Sequence, residues 1–469
     1  MGTRSWFRVH SFTGVMTGLL LFVVCWSGTF ATVSNELDWL VNPALRVTPD
    51  QDTVGWDAIE AAARNAVPDA ELGVISAPLN ARAASVVQMN QPDGGVKLVA
   101  VDPYTGVVTG VIEGRYTIQR FFRSFHMNLF IPWAGKYIVT LLAATMLLSM
   151  VASLFVYKRW WTRFFRFRPG RGRAFWSELH KTGGLWSLWF VLVLGVTGVW
   201  YLFEALRGDI GDGMLNYAGP DSSYSVNVVP PAGSDPSLPR RSLDALIADA
   251  KARWPDFEPT LIGRDWSSEE ALYIEGQTVF PLVRGRANQL NLDPRTGEVL
   301  LAHRADELPA YWIWSNMADP LHFGDFAGLA SKLIWFVFGL LLSGLIFTGT
   351  LLHARRLNAQ PGVAARHRWP GMLPALVVSL LVCAATVPFG LYEAREYYGP
   401  TVAGVRQWPT LLPGAQAVIA AWVLSTLALL AVWVRLLWRS GSAADPLLPG
   451  ARMDSSAEAR ASIEPRASL

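Results

Sequence analysis

Charge and cysteine are both scarce in this 469-residue chain: 16% of its residues are Asp, Glu, Lys or Arg, and two are cysteine. An ordinary soluble domain takes about a quarter of its residues charged, so the first shortage excludes one. The second excludes a disulfide-stapled domain. Because no Cys-x-x-Cys-His occurs, it also excludes a covalently attached haem. Cys25 and Cys383 each fall inside an apolar run, where packing is the expected role. No Gly-x-Gly-x-x-Gly opens a helix after a strand, and no phosphate loop, Ser-His-Asp set or paired carboxylates can be found. The chain therefore offers no nicotinamide or flavin site and no hydrolytic centre. The net charge is +3 and no basic segment matches a nucleic-acid motif, so no nucleic acid is expected as a partner.

Apolar and aromatic residues are abundant, at 51% hydrophobic with 21 tryptophans. About 20 apolar residues cross a bilayer as a helix. Six stretches are long enough: 11–33, 134–157, 183–206, 330–352, 371–391 and 412–437. The fifth carries Pro374 and Pro388, which membrane helices tolerate. Trp160-Trp161 and Trp312-Ile313-Trp314 read as interfacial belts. The first stretch resembles a signal peptide, but its length and its counterpart in mid-chain argue for retention. Segment 158–182 is a basic loop, with Lys158, Arg159, Arg163, Arg166, Arg168 and Arg171 among its cations against the single acid Glu178. Arg4, Arg8, Arg355, Arg356 and Arg439 fall on the same side if six spans alternate. The positive-inside rule then makes that side cytoplasmic, with both termini there and the spans in contact with lipid.

An internal repeat sets the architecture. His10-Ser-Phe-Thr-Gly14 matches His180-Lys-Thr-Gly-Gly184, and Ser27-Gly28 matches Thr197-Gly198, at an offset of 170. Asp57 with Pro68-Asp69 matches Asp244 with Pro255-Asp256 at 187, and Asp102-Pro-Tyr-Thr-Gly106 matches Asp293-Pro-Arg-Thr-Gly297 at 191. His126 and Lys136 match His322 and Lys332 at 196. Four coincidences in order, with a slowly growing offset, imply duplication with longer loops in the second half. A histidine at the edge of a span is expensive and points to function. Two such pairs point to two metal centres, one near each face.

Outside the spans, each half holds one amphipathic helix (about 56–66 and 242–253). Strand-like runs follow, such as 85–89 and 96–101. Asp-Pro-x-Thr-Gly reads as a tight turn between strands. Segment 219–240 is a loop insertion of the second half, and 440–469 is polar and reads as a disordered tail.

Paired α+β modules carrying that turn, each flanked by spans with edge histidines, resemble the PepSY-associated transmembrane family. Within it, they resemble the di-haem ferric-siderophore reductases of bacterial inner membranes. The likeness covers about residues 5–356, and 370–439 adds two spans. It implies an α-helical membrane protein with a four-helix core built from a duplicated TM–PepSY–TM unit. The implied order is a span over 1–33, a periplasmic module over 34–125 and a span over 126–157. After the basic loop come a span over 183–206, a second module over 207–321 and a span over 322–356. Two non-covalent haem b groups are implied, each iron taking two axial imidazoles. His126 and His322 are the expected outer pair, and His10 and His180 the inner pair. His353 would serve a haem propionate or replace one inner ligand. Met127 and Met317 are soft-ligand candidates for which packing is the commoner role, and His303 and His367 read as solvated. Gly14, Gly18, Gly28, Gly183, Gly184, Gly195 and Gly198 thin the helices beside the histidines, either for close packing or to admit a flat macrocycle.

The function this implies is a transmembrane electron conduit that reduces a ferric siderophore or other ferric chelate at the periplasmic face. The electron donor is then separate, a quinol or a cytoplasmic reductase. Alternatives are a non-redox transporter or scaffold, and a haem subunit delivering electrons to another periplasmic enzyme. His322 and His353 are 31 residues apart. That is roughly 46 Å of helix, more than a hydrocarbon core of about 30 Å.

Overall fold

Among the described residues of the computed structural model, five helices are long and apolar enough to cross a membrane, with a sixth crossing where a pair of helices bent by 67° makes one span. The structure describes residues 2–168, 170–210, 232–264, 271–280, 282–358 and 372–442; His367, residues 219–231 of the insertion and 443–469 of the tail lie outside these. Large apolar side chains such as Val378, Leu381 and Leu424 stand exposed along the spans, as a lipid-facing surface requires. The chain is a multi-pass helical membrane protein.

The bent crossing is α1 (Thr3–Met16) followed by α2 (Gly18–Ala31), where one helix over 11–33 is expected from sequence. Thr17, at the break, supplies the reason. Its hydroxyl donates to the Thr13 carbonyl at 2.8 Å, and the Thr13 hydroxyl donates to the Val9 carbonyl at 3.0 Å. Such back-bonding competes with the helical ladder and bends it. Residues 34–41 form α3 (Ser34–Val41). Further on, α7 (Arg173–Trp186) and α8 (Leu188–Ile210) part at Ser187, whose hydroxyl donates to the Gly183 carbonyl. Thr17 and Ser187 are again 170 apart. Residues 173–182 of the expected basic loop therefore belong to a helix.

The next crossings hold the apolar stretches expected over 134–157 and 330–352, while the residues from 126 and 322 that precede them belong to separate short helices. α5 (Ile118–Asn128) leads into α6 (Gly135–Val156), and α10 (Ala310–Phe323) leads into α11 (Gly328–Asn358). Leu129 (φ 54°) and Gly324 (φ 70°) end the short helices in left-handed backbone. His126 and His322 each sit in the last turn before that stop. Lysines then tie span ends together: Lys136 lies 2.6 Å from Asp209, and the buried Lys332 lies 2.8 Å from Glu36.

Between the crossings, α4 (Trp56–Ala66) precedes β1 (Glu71–Ser76), β2 (Ser85–Asn90), β3 (Val96–Val101) and β4 (Val108–Glu113). α9 (Leu243–Arg253) precedes β5 (Glu258–Arg264), β6 (Leu272–Gln277), β7 (Gln289–Leu292) and β8 (Val299–His303). Alternate residues point one way, and Ile75, Val87, Met89, Ile262, Ile274 and Leu290 are fully buried in one core with α4 and α9. Each such side chain contributes roughly 1.5–3 kcal/mol by burial. Both Asp-Pro-x-Thr-Gly segments turn as expected, with Gly106 (φ 72°) and Gly297 (φ 80°) in the conformation glycine favours.

The two segments between crossings are one body. β1 pairs antiparallel with β5, Ile75 opposite Ile262, giving an eight-stranded sheet in the order β4-β3-β2-β1-β5-β6-β7-β8. Pairing the two inner edges hides backbone groups that separate modules would expose. The helices seal the join. Asp57 accepts the Leu243 and Asp244 amides at 2.7 and 3.2 Å, and Asp244 accepts the Trp56 and Asp57 amides at 2.7 and 3.3 Å. Each aspartate thus caps the N-terminus of the other half's helix.

Two expectations fail in this region. His303, read as solvated, is buried at the end of β8 opposite Gln289. Trp312, read as part of an interfacial belt, packs into a small core with Val283 and Leu308. The sheet claims His303, and a separate core of loop and helix residues claims Trp312, neither of which local sequence reveals.

The last two crossings are α12 (Met372–Glu396) and α13 (Pro413–Ser442), joined through the hairpin of β9 (Thr401–Val402) and β10 (Val405–Arg406). They brace the first half. Trp422 packs on Phe122 and Phe125 of α5 at 5.3 and 5.2 Å, and Trp26 donates to Thr426 at 3.0 Å. Arg406 donates to the Gly94 carbonyl at 3.2 Å, tying the hairpin to the β2–β3 turn.

Candidate functional site

His126 and His322 meet as expected, with ring centres 6.0 Å apart. α5 is held for this by Asp38, which accepts the Ile118 and Gln119 amides at 2.9 and 2.8 Å, and by the Thr117 hydroxyl as N-cap. The His126 Nδ1–H donates to the Val24 carbonyl at 3.0 Å, beside the Ser27 hydroxyl. His322 Nδ1 lies 2.8 Å from the Thr197 hydroxyl, which already donates to the Val193 carbonyl and so accepts from the ring. Desolvation lowers the pKa of His126 against the opposing pull of the Val24 carbonyl. Desolvation first, then repulsion from His126, pushes His322 down to about 3. Tyr201 packs 5.3 Å from the His322 ring and donates to Asp319 at 2.7 Å, and Asp319 lies 2.6 Å from Arg284. This chain of contacts links the pair to the loop before β7.

His10 and His180 also meet, with ring centres 6.3 Å apart. The His10 Nδ1–H donates to the Ser149 carbonyl at 3.0 Å, with the Ser149 hydroxyl at 2.9 Å. His180 Nδ1 lies 3.1 Å from the Thr348 hydroxyl, itself a donor to the Leu345 carbonyl. All four rings thus carry their proton on Nδ1. This leaves Nε2 bare, the arrangement by which outer partners orient metal-binding imidazoles. Sequence reasoning did not find Ser149 and Thr348. Each is one of several hydroxyls in its span, so nothing in the sequence singled it out.

The inner pair opens on a cavity of about 430 Å³ lined also by His353, Arg173, Lys181 and Arg356. Gly14 and Gly184, one turn beyond His10 and His180, line it, and a Cβ on either would meet nothing within 4 Å. The two readings of the glycines therefore separate. Gly14 and Gly184 leave open space, while Gly198, Gly195 and Gly183 serve packing, against Ala143, Leu147 and Leu345. Gly28 makes room for the His126 ring, whose Cε1 would lie 2.6 Å from an added Cβ. Met127 is exposed and Met317 packs beside Trp312.

A metal–imidazole bond is about 2 Å long. An ion between two opposed Nε2 atoms would therefore set ring centres about 6 Å apart, the spacing of both pairs. Among the described residues no three His, Cys, Asp or Glu gather around a metal position. Two imidazoles alone are a poor cage for a bare ion, yet they are the axial set of an iron whose other ligands come from a porphyrin. With the glycine-walled cavity and the bare Nε2 atoms, the residues present fit a bis-histidine haem.

Comparison with known proteins agrees with the layout. The PepSY-associated TM region family matches residues 7–356, which hold all five of these histidines. The chain belongs to this family. An uncharacterised protein of Pseudomonas aeruginosa is 27% identical over 214 residues, 44% of this chain and 53% of the relative. The chain thus spans about half the length of that curated relative. The family match stops at the end of α11, so α12, α13 and their hairpin are additions to the PepSY-associated TM core.

Proposed function

We propose that this PepSY-associated TM protein is a di-haem b electron conduit that reduces ferric iron, bound in a siderophore or similar chelate, at the face bearing the sheet. The observation that carries the reading is the pair of histidine couples at two depths of one bundle, with ring centres 6.3 and 6.0 Å apart and each ring's Nδ1 engaged by a carbonyl or hydroxyl of a span. His10 is bonded to Ser149, 14 residues along α6 from Gly135, while His126 lies just before α6. The couples are therefore separated by roughly 20 Å of helix. Two bound haems would supply a one-electron relay across that depth.

The chain's own part is to hold and insulate. His126 and His322 would hold the outer iron, with Val24, Ser27 and Thr197 fixing the rings. His10 and His180 would hold the inner iron, with Ser149 and Thr348 in the same office. The basic residues of 158–182 and at the ends of α1 and α11 support a cytoplasmic reading for that face and a periplasmic one for the sheet, in a bacterial inner membrane. The matching offsets of His10/His180, Thr17/Ser187 and Asp57/Asp244 support descent of both halves from one duplicated TM–PepSY–TM unit. Releasing iron by reduction needs no acid, base or nucleophile from the protein. A separate quinol or cytoplasmic reductase would supply the electron.

The test is a haem count on the purified protein. Pyridine haemochrome analysis should give about two haems per chain. His126→Ala and His322→Ala should lose only the outer one, and His10→Ala and His180→Ala only the inner. A colourless protein, or variants that all keep two haems with unchanged spectra, overturns the reading.

A further inference from the structure

His353 differs from the other four histidines in which nitrogen carries the proton. Its Nδ1 lies 3.2 Å from an Arg356 guanidinium nitrogen. A guanidinium only donates, so this Nδ1 accepts and the neutral ring carries its proton on Nε2. That Nε2–H is buried and has no hydrogen-bond partner, in a residue 6% exposed that lines the inner cavity. This tautomer presents a donor to the cavity, the opposite of His10 and His180. A buried donor without an acceptor is destabilising, so whatever fills the cavity should bring it an oxygen. Arg356 and Arg173 line the same end, and Lys181 is engaged by Glu178 at 2.6 Å. The free donors there call for an anion.

We infer that this end of the cavity is a carboxylate receptor, in which the His353 Nε2–H together with the Arg356 and Arg173 guanidiniums binds a propionate of a porphyrin seated between His10 and His180. The inference rests on the haem reading above and adds a residue-level assignment to it. A lipid phosphate offers the same anionic oxygen, so the test must tell the two sources apart.

The experiment uses full-length protein in detergent, stripped of haem and reloaded with iron protoporphyrin IX or its dimethyl ester, which lacks the carboxylates. Wild type should take up the free acid about tenfold or more tightly than the ester at the inner site, since a charge-assisted bond in a buried site is lost. His353→Leu should keep the inner haem and its low-spin bis-imidazole signature but lose most of that preference. His353→Gln, which retains an N–H donor, should restore part of it. Loss of the inner haem and its signature in His353→Leu, with both kept in His10→Ala, makes His353 an axial ligand and overturns the inference. Equal uptake of acid and ester by wild type also overturns it. If, in that case, bound phospholipid phosphorus falls in His353→Leu, the anion is a lipid headgroup. A wild type that takes up neither porphyrin rejects the haem reading itself, a result distinct from lost discrimination at full loading.

Discussion

Gly28→Ala changes one methyl group, yet it should unseat one of the two proposed haems. The added Cβ would stand 2.6 Å from His126 Cε1 and 2.9 Å from Nδ1. Carbon contacts settle at about 3.5–4.0 Å, so the ring must retreat by about 1 Å. The bond from Nδ1 to the Val24 carbonyl is 3.0 Å, and such a retreat carries it past hydrogen-bond reach. Metal ligands tolerate about 0.2 Å of error, and losing an orienting partner costs about 10–100-fold in metal affinity. That corresponds to about 1.4–2.8 kcal/mol. The control is Gly198→Ala, the position matched at the offset of 170, where the added Cβ meets Ala143 at 2.5 Å and no histidine. Overpacking there should cost about 1–3 kcal/mol of stability with the outer haem in place. Haem titration of stripped protein, read with the reduced-state spectrum, separates the two variants. Full outer loading at wild-type affinity in Gly28→Ala, or equal loss in Gly198→Ala, would refute the reasoning.

Three further outcomes follow from other parts of the molecule. Asp57→Ala leaves the α9 amides of Leu243 and Asp244 without their acceptor and should cost about 1 kcal/mol, with Asp244→Ala costing a similar amount at α4. Both are measurable as lowered thermal midpoints. Lys332→Met should cost about 3–5 kcal/mol by stranding Glu36, and adding Glu36→Gln should recover much of it; a single variant as stable as wild type contradicts this. The third outcome concerns acid. Two bonds from Arg304 hold Asp256 down to about 2, below its ordinary 3.8. With the folded value depressed, the pair's stabilisation is present above about pH 4 and is lost as pH falls toward 2. A stability–pH profile should show that slope in wild type and less of it in Asp256→Asn.

Sequence carried some features and hid others for identifiable reasons. The amphipathic helices, the Asp-Pro-x-Thr-Gly turns and the meeting of His10 with His180 and of His126 with His322 were legible, because periodicity and repeat offsets record them locally. The breaks at Thr17 and Ser187 were not, since a hydroxyl in an apolar run reads as part of a span until its back-bond is seen. Fusion of the modules through β1 and β5 was hidden as well, because strand edges carry no mark of their partner. His303 went wrong for the same reason: polar neighbours in sequence say nothing of a sheet that buries it. The separate status of His353 depended on one contact, Arg356 to Nδ1, that spacing alone left open.

The central claim is that electrons cross the membrane through both histidine couples. Protein oriented in sealed vesicles, with a reductant confined to the basic face and a ferric siderophore confined to the sheet face, measures this directly. Wild type should reduce the ferric complex. His180→Ala, lacking the inner haem, should not, although its outer haem should remain reducible by a reductant added on the sheet side. Equal transmembrane rates in wild type and His180→Ala would contradict the account.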